Sequence, residues 1–221
     1  MKRPDIKICG LSTEAAIDQV IARHASYVGF IFFEKSPRHV EPDIAGRLIE
    51  HVRGRAKTVA VTVNADNELL EEIVYAARPD FLQLHGNESP ERVLTVKALF
   101  GLPVIKAFSI RTADDLMFVK EYDGIADKVL FDAKPPKGAD LPGGNGVSFD
   151  WRLLEGLSEN IDYFLSGGLN ADNVAEALTR TGARALDVSS GVESAPGVKD
   201  PARIDAFFDA VDKAVARPAT A

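Results

Sequence analysis

Short apolar runs alternate with longer amphipathic stretches along almost the whole chain. The runs at 6–10, 27–33, 57–63, 81–85, 104–110, 128–132, 163–166 and 185–189 are of strand length. Between them, residues 13–24, 43–52, 67–77, 90–100 and 171–180 read as helices, and Ala15, Ile17, Val20 and Ile21 share one helical stripe. Ser12 or Thr13, Ser89 ahead of Pro90, and Asn170 are suitable helix starts. Residues 202–215 read as a closing helix and 216–221 as a frayed tail.

Strand and helix alternating in this way predict an α/β fold, a (β/α)8 barrel near the small end of its size range, with a doubly wound open sheet as the alternative. No linker or low-complexity tract divides the chain, so residues 1–221 are expected to form a single domain. The one long irregular segment, 133–148, holds three prolines and four glycines. A loop of that length in a compact domain is usually functional, often a lid.

Within a barrel strand, alternate side chains point inward, and reactive groups gather where strands end at the C-terminal rim. Period two puts Lys7 and Cys9 on the inner face, as it does Gln83 with His85, Leu130 with Asp132, and Asp187 with Ser189. Inward polar groups are unfavourable unless paired or used, and four strands carrying them near one rim mark a site. Singly, each has a plainer reading. A strand cysteine is commonly inert core, Asp132 can cap the next segment or pair with Lys134, and His85 can donate to a loop carbonyl. Lys7 suits a barrel-core lysine paired with an inward aspartate.

Composition narrows the chemistry. The 221 residues are 46% hydrophobic and 27% charged, enough for a full soluble core. A net charge of −7 argues against a nucleic-acid face, so an anionic ligand needs local positive groups. One cysteine excludes an internal disulfide, and the four histidines show no metal-site spacing, so no metal is expected. No apolar run approaches the roughly 18 residues of a membrane span, and the N-terminus lacks a signal-peptide stretch. A cytoplasmic protein with no membrane partner is expected. No large apolar surface stripe stands out, which favours a monomer over a homodimer.

Ser166-Gly167-Gly168-Leu169-Asn170 follows the seventh strand, and Ser189-Ser190-Gly191-Val192-Glu193 the eighth. Barrels often bind phosphate there, on backbone N–H groups that glycines leave open. Gly167, Gly168, Ser189, Ser190 and Gly191 are therefore the candidate phosphate binders, against two ordinary tight turns. Gly143-Gly144-Asn145-Gly146 either adds N–H donors or gives the long loop its flexibility. In Lys35-Ser36-Pro37-Arg38-His39, Arg38 offers a planar fork for a carboxylate, unless the turn is simply solvated.

KICG at 7–10, SPRHV at 36–40, QLHG at 83–86, FDAK at 131–134, GGNG at 143–146 before FDW, SGGL at 166–169 and DVSSGVE at 187–193 together resemble the phosphoribosylanthranilate isomerase family of tryptophan biosynthesis. The resemblance runs in order from Lys7 to about Phe208, with Asn145 standing where Thr or Ser is more usual. It implies an Amadori rearrangement of N-(5-phosphoribosyl)anthranilate to the 1-deoxyribulose 5-phosphate. Carried over by position, Asp132 is the general acid at the furanose oxygen and Cys9 the general base at C2. Arg38 holds the anthranilate carboxylate, Gln83, His85 and Asp187 contact substrate, and the last two turns hold the phosphate. No cofactor is implied, because the anthranilate nitrogen itself forms the imine. Such a base must be partly thiolate near neutral pH, below the free value of about 8.5, and Lys7 is expected to lower it. Asp132 is expected to be raised.

Three rivals remain. A histidine-pathway isomerase is expected to carry aspartate at strand 1 and a Gly-Gly turn after strand 3, where this chain has Cys9 and Val63-Asn64-Ala65-Asp66. Indole-glycerol-phosphate synthase would need catalytic lysine and glutamate positions that are not found. A non-catalytic sugar-phosphate barrel would have no reason to keep an acid and a base on opposed strands.

Overall fold

In the computed structural model, eight parallel strands form a closed barrel in chain order. The described residues are 2–135, 138, 141–144, 146–155, 157 and 161–216, so the tail at 217–221 and Asn145 lie outside them. The strands are β1 Asp5–Cys9, β2 Tyr27–Phe32, β3 Lys57–Thr62, β4 Phe81–Leu84, β5 Val104–Ile110, β6 Lys128–Ala133, β7 Tyr163–Leu165 and β8 Ala185–Val188. Among the described residues, six α-helices follow the amphipathic stretches: α1 Glu14–Ala22, α2 Pro42–Val52, α3 Asn67–Ala77, α4 Pro90–Phe100, α5 Val174–Thr181 and α6 Pro201–Ala216.

Local chemistry explains the helix ends. The Thr13, Asp66 and Ser89 side chains accept from Ala16, Leu69 and Arg92 backbone N–H groups, and each satisfies an amide left open in a first helical turn. Gly101 and Gly182 end α4 and α5 in left-handed geometry, which glycine adopts without steric penalty. The helix expected at 171–180 begins later, at Val174. Asn170 and Asn173 spend their side chains on turn hydrogen bonds there, accepting from Asp172, Asn173 and Asn170 backbone N–H groups.

Two connections depart from a regular strand–helix repeat. Ala113–Tyr122 and Trp151–Leu154 form 3-10 helices. The first buries Val119 and packs the half-buried Leu116 and Tyr122 against the core, while Met117 and Phe118 stay exposed.

Alternation along the strands divides the core into two layers. Ile6, Ile8, Leu82, Leu84, Val129, Phe131, Leu186 and Val188 face the helices, where each large aliphatic side chain contributes about 1.5–3 kcal/mol on burial. Cys9, Tyr27, Val59, Val61, Ile105, Leu130 and Phe164 fill the barrel itself. Tyr27 packs edge-on against Phe81 and Phe164, which makes a closed aromatic plug inside the barrel. The first and last strands pair with Lys7 opposite Asp187, closing the cylinder.

Candidate active site

One cavity brings together Cys9 from β1, Arg38 from the β2 loop, His85 from the end of β4, Asp132 from β6, and Asp187 and Ser189 from β8 and just beyond. Leu141 to Gly144, from the long loop after β6, lie across it. Gly143 comes so near that a Cβ there would stand 2.6 Å from Asp132 Oδ2 and 3.1 Å from His85 Nε2. At Gly144 a Cβ would stand 2.7 Å from Arg38 Nη1. The loop thus meets three candidate groups through two glycines because any side chain would push it away.

On the wall formed by β4 and β6, Asp132 Oδ1 accepts from the Ala133 N–H at 2.8 Å. Its Oδ2 lies 3.2 Å from His85 Nε2, and His85 Nδ1 lies 2.9 Å from Gln83 Nε2. Gln83 is fully buried and reaches the cavity through His85, while its Oε1 has no partner among the described residues. Lys134, a possible partner of Asp132, pairs with Asp115 instead. The loop under His85 is fixed from below. Glu88 accepts from the Gly86 and Asn64 N–H groups and pairs with the buried Lys106, which also donates to the Gly86 carbonyl.

The opposite wall, β1 and β8, is built of ions. Lys7, wholly buried, donates to Asp187 Oδ1 at 3.0 Å. Burial opposes its charge, but Asp187 and then Cys9 hold its pKa above the ordinary lysine value. Ser189 Oγ donates to the Cys9 carbonyl at 3.0 Å, which ties Ser189 to the end of β1, and it lines the same cavity as Cys9. The Cys9 thiol departs from expectation. Burial pushes its pKa up, and the lowering by Lys7 and Lys199 does not overcome that, with Asp187 adding to the rise.

A second cavity adjoins the ends of β7 and β8. Gly146, Gly168, Asn170, Ser190 and Gly191 line it, with Arg203 of α6 and the exposed Asp172 at its edge. A Cβ on Gly191 would lie 1.8 Å from the Leu169 carbonyl oxygen, so only glycine lets the two turns approach. Gly167, with φ of 87°, packs against the Ala133 backbone, next to Asp132 in sequence.

Three participants escaped the sequence reading. Arg203 lies in the first turn of α6 and bonds the Glu193 carbonyl through Nη1. Glu193 and Lys199 sit on the hairpin β9 Glu193–Ala195 and β10 Val198–Lys199. Glu193 ended a motif, and Lys199 and Arg203 surround the Pro201 helix start, but nothing in their spacing points to the rim.

A barrel whose C-terminal rim joins a thiol and a carboxyl, beside a second, glycine-walled pocket, has the make-up of an acid–base enzyme. A family model described as N-(5'phosphoribosyl)anthranilate (PRA) isomerase matches residues 6–210. The proteins named N-(5'-phosphoribosyl)anthranilate isomerase in Rhizobium leguminosarum bv. trifolii and Agrobacterium fabrum are 66% and 67% identical, over 96% and 95% of this chain and 96% of each relative. Among solved structures, the phosphoribosyl anthranilate isomerase of Thermotoga maritima superposes with a TM-score of 0.85 at 30% identity, covering 95% of this chain and 99% of that one. Another phosphoribosyl anthranilate isomerase, solved in complex with reduced 1-(o-carboxyphenylamino)-1-deoxyribulose 5-phosphate, superposes at 0.83 with 29% identity over the same shares. The chain belongs to the N-(5'-phosphoribosyl)anthranilate isomerase family.

Proposed function

We propose that this isomerase of tryptophan biosynthesis moves its two protons with Asp132 and Cys9, converting N-(5'-phosphoribosyl)anthranilate to 1-(2-carboxyphenylamino)-1-deoxyribulose 5-phosphate. The observation that carries the reading is the opposition of Cys9 and Asp132 across one cavity, beside a glycine-walled anion pocket.

Asp132 donates its proton to the furanose ring oxygen while the C1–O bond breaks and the anthranilate nitrogen lone pair forms the C1=N bond. His85, within hydrogen-bond distance of Oδ2, orients that carboxyl and Gln83 orients His85. The cationic imine acidifies the C2 proton, which Cys9 removes as thiolate. The resulting enolamine tautomerises to the ketone. Burial keeps the resting thiol largely protonated, and the positive imine adds to Lys7 and Lys199 in favouring its ionised form.

Arg38 meets the anthranilate carboxylate. The backbone N–H groups of Gly168, Ser190 and Gly191 receive the phosphate, with Arg203 as its counter-charge. Asp187 serves mainly to pair Lys7. A buried catalytic thiol favours a reducing compartment, and we assign the enzyme to the cytoplasm. Its large exposed apolar residues, Ile44, Leu69, Tyr75, Leu94, Leu99, Met117, Phe118 and Val198, are spread over five elements, which favours a monomer. Sedimentation that returns a dimer would overturn that last assignment.

The activity test follows the fluorescence of substrate generated in situ as purified protein is added. Wild-type protein is expected to consume it, and failure to do so sinks the reading. Cys9→Ser and Asp132→Asn are expected to keep product affinity and lose most turnover.

A further inference from the structure

Glu193 carries a buried carboxylate, 3% exposed, that no proton-transfer step uses. Its Oε1 accepts from Arg38 Nε at 2.8 Å and from Lys199 Nζ at 2.7 Å. Its Oε2 accepts from Arg38 Nη2 at 2.7 Å and from the Gly197 N–H at 3.2 Å. Taking such a group out of water is unfavourable unless every lone pair is used, and here all are.

The consequence falls on Arg38. Its Nε–Nη2 edge is fully occupied by Glu193, so the Nη1 side is the part that faces the cavity, against Gly144. Gly10, with φ of 75°, supports the stem: a Cβ there would stand 2.7 Å from Arg38 Cδ. Lys199 extends the chain of contacts, donating to the Ser189 carbonyl at 3.1 Å and lying 3.2 Å from Ser189 Oγ, which bonds Cys9. The hairpin after β8 is therefore a strap that brings one anion back to the rim.

We infer that Glu193 is the positioning residue for recognition of the substrate carboxylate, gripping Arg38 by one guanidinium edge so that the other is held toward the cavity. This rests on the reading of Arg38 as the carboxylate contact. A free arginine samples many rotamers, and an edge already clamped loses less freedom when the ligand arrives. Lys199 anchors the same carboxylate to the strand end that carries the base.

The test uses two ligands measured by calorimetry: reduced 1-(o-carboxyphenylamino)-1-deoxyribulose 5-phosphate and its phenylamino counterpart without the carboxylate. Glu193→Gln is expected to weaken the first by about tenfold or more and the second by less than about twofold, with KM raised by a larger factor than kcat falls. Equal weakening of both, or of neither, overturns the proposal. If Glu193→Gln shows no cooperative thermal transition, Glu193→Asp, which keeps the charge but withdraws it by one methylene, is measured on the same pair with the same expectation. Arg38→Lys separates the two layers of the argument. If it does not discriminate between the ligands, the carboxylate reading of Arg38 fails. If it does and the Glu193 variants do not, only the positioning role fails.

Discussion

The two walls of the cavity, to which we assign opposite proton chemistry, are built of different materials. The acid wall is a relay of side chains on β4 and β6, Gln83 to His85 to Asp132, with no lysine in the chain of hydrogen bonds. The base wall sets Cys9 among ions, the Lys7–Asp187 pair on one side and the Glu193–Lys199 pair beyond Ser189. The difference follows from what each group must become. An acid that delivers a proton needs orientation and shelter. A thiol that must ionise in a buried place needs positive charge, supplied without stranding that charge when the thiol is neutral. Pairing each lysine with its own carboxylate does this.

The strongest way to break the comparison is to remove the two reacting groups separately. Cys9→Ala and Asp132→Asn are each expected to lower kcat by roughly 10²- to 10⁴-fold in the fluorescence assay. A variant retaining half the wild-type rate would remove its wall from the mechanism. Next in size, Lys7→Met leaves Asp187 as a buried, unpaired carboxylate, which is expected to cost about 3–5 kcal/mol in urea unfolding at neutral pH. In kinetics the sign is fixed: kcat/KM rises as the thiol ionises, and Lys7 opposes the upward push of burial. Without Lys7 that limb moves to higher pH, and a limb that stays put or moves down contradicts the ionic account of the base wall.

His85→Asn sharpens the other side. It removes the hydrogen bond that would stabilise the Asp132 carboxylate formed as the proton leaves, worth roughly 1.5–3 kcal/mol, and is expected to lower kcat by about ten- to a hundredfold. The Cys9 limb of the pH profile should not move. Displacement of that limb would mean the walls are not independent. The smallest effect is expected outside both walls. Arg203→Gln should raise KM by about tenfold and leave kcat within about twofold, with weaker inhibition by inorganic phosphate. A fall in kcat with KM unchanged would take Arg203 out of the phosphate pocket.

The barrel was legible in the sequence because two periods, one for strands and one for helices, are written by burial itself. The inward assignment of Lys7, Cys9, Gln83, Asp132 and Asp187 needed only that alternation, and the core layers divide as it requires. Partner choice was less legible. Asp132 had Lys134 nearby in sequence and takes His85 from another strand, a tertiary outcome that spacing does not encode. The direction of the Cys9 shift was misread for a related reason. Lys7 was visible two residues away, but the depth of burial that outweighs it depends on the whole layer of side chains beneath. Glu193, Lys199 and Arg203 were obscure because a short hairpin and a helix start fold them back onto the rim.

One contact has a further meaning for how the molecule comes to be made. Lys7 and Asp187, 180 residues apart, meet across the seam where the first strand pairs with the last. A growing chain emerging from the ribosome therefore holds Cys9 in an unfinished environment until the segment carrying Asp187 has been synthesised. Competence to catalyse is therefore expected to wait for closure of this seam, and in refolding experiments turnover should reappear with seam closure rather than with the bulk of helix formation.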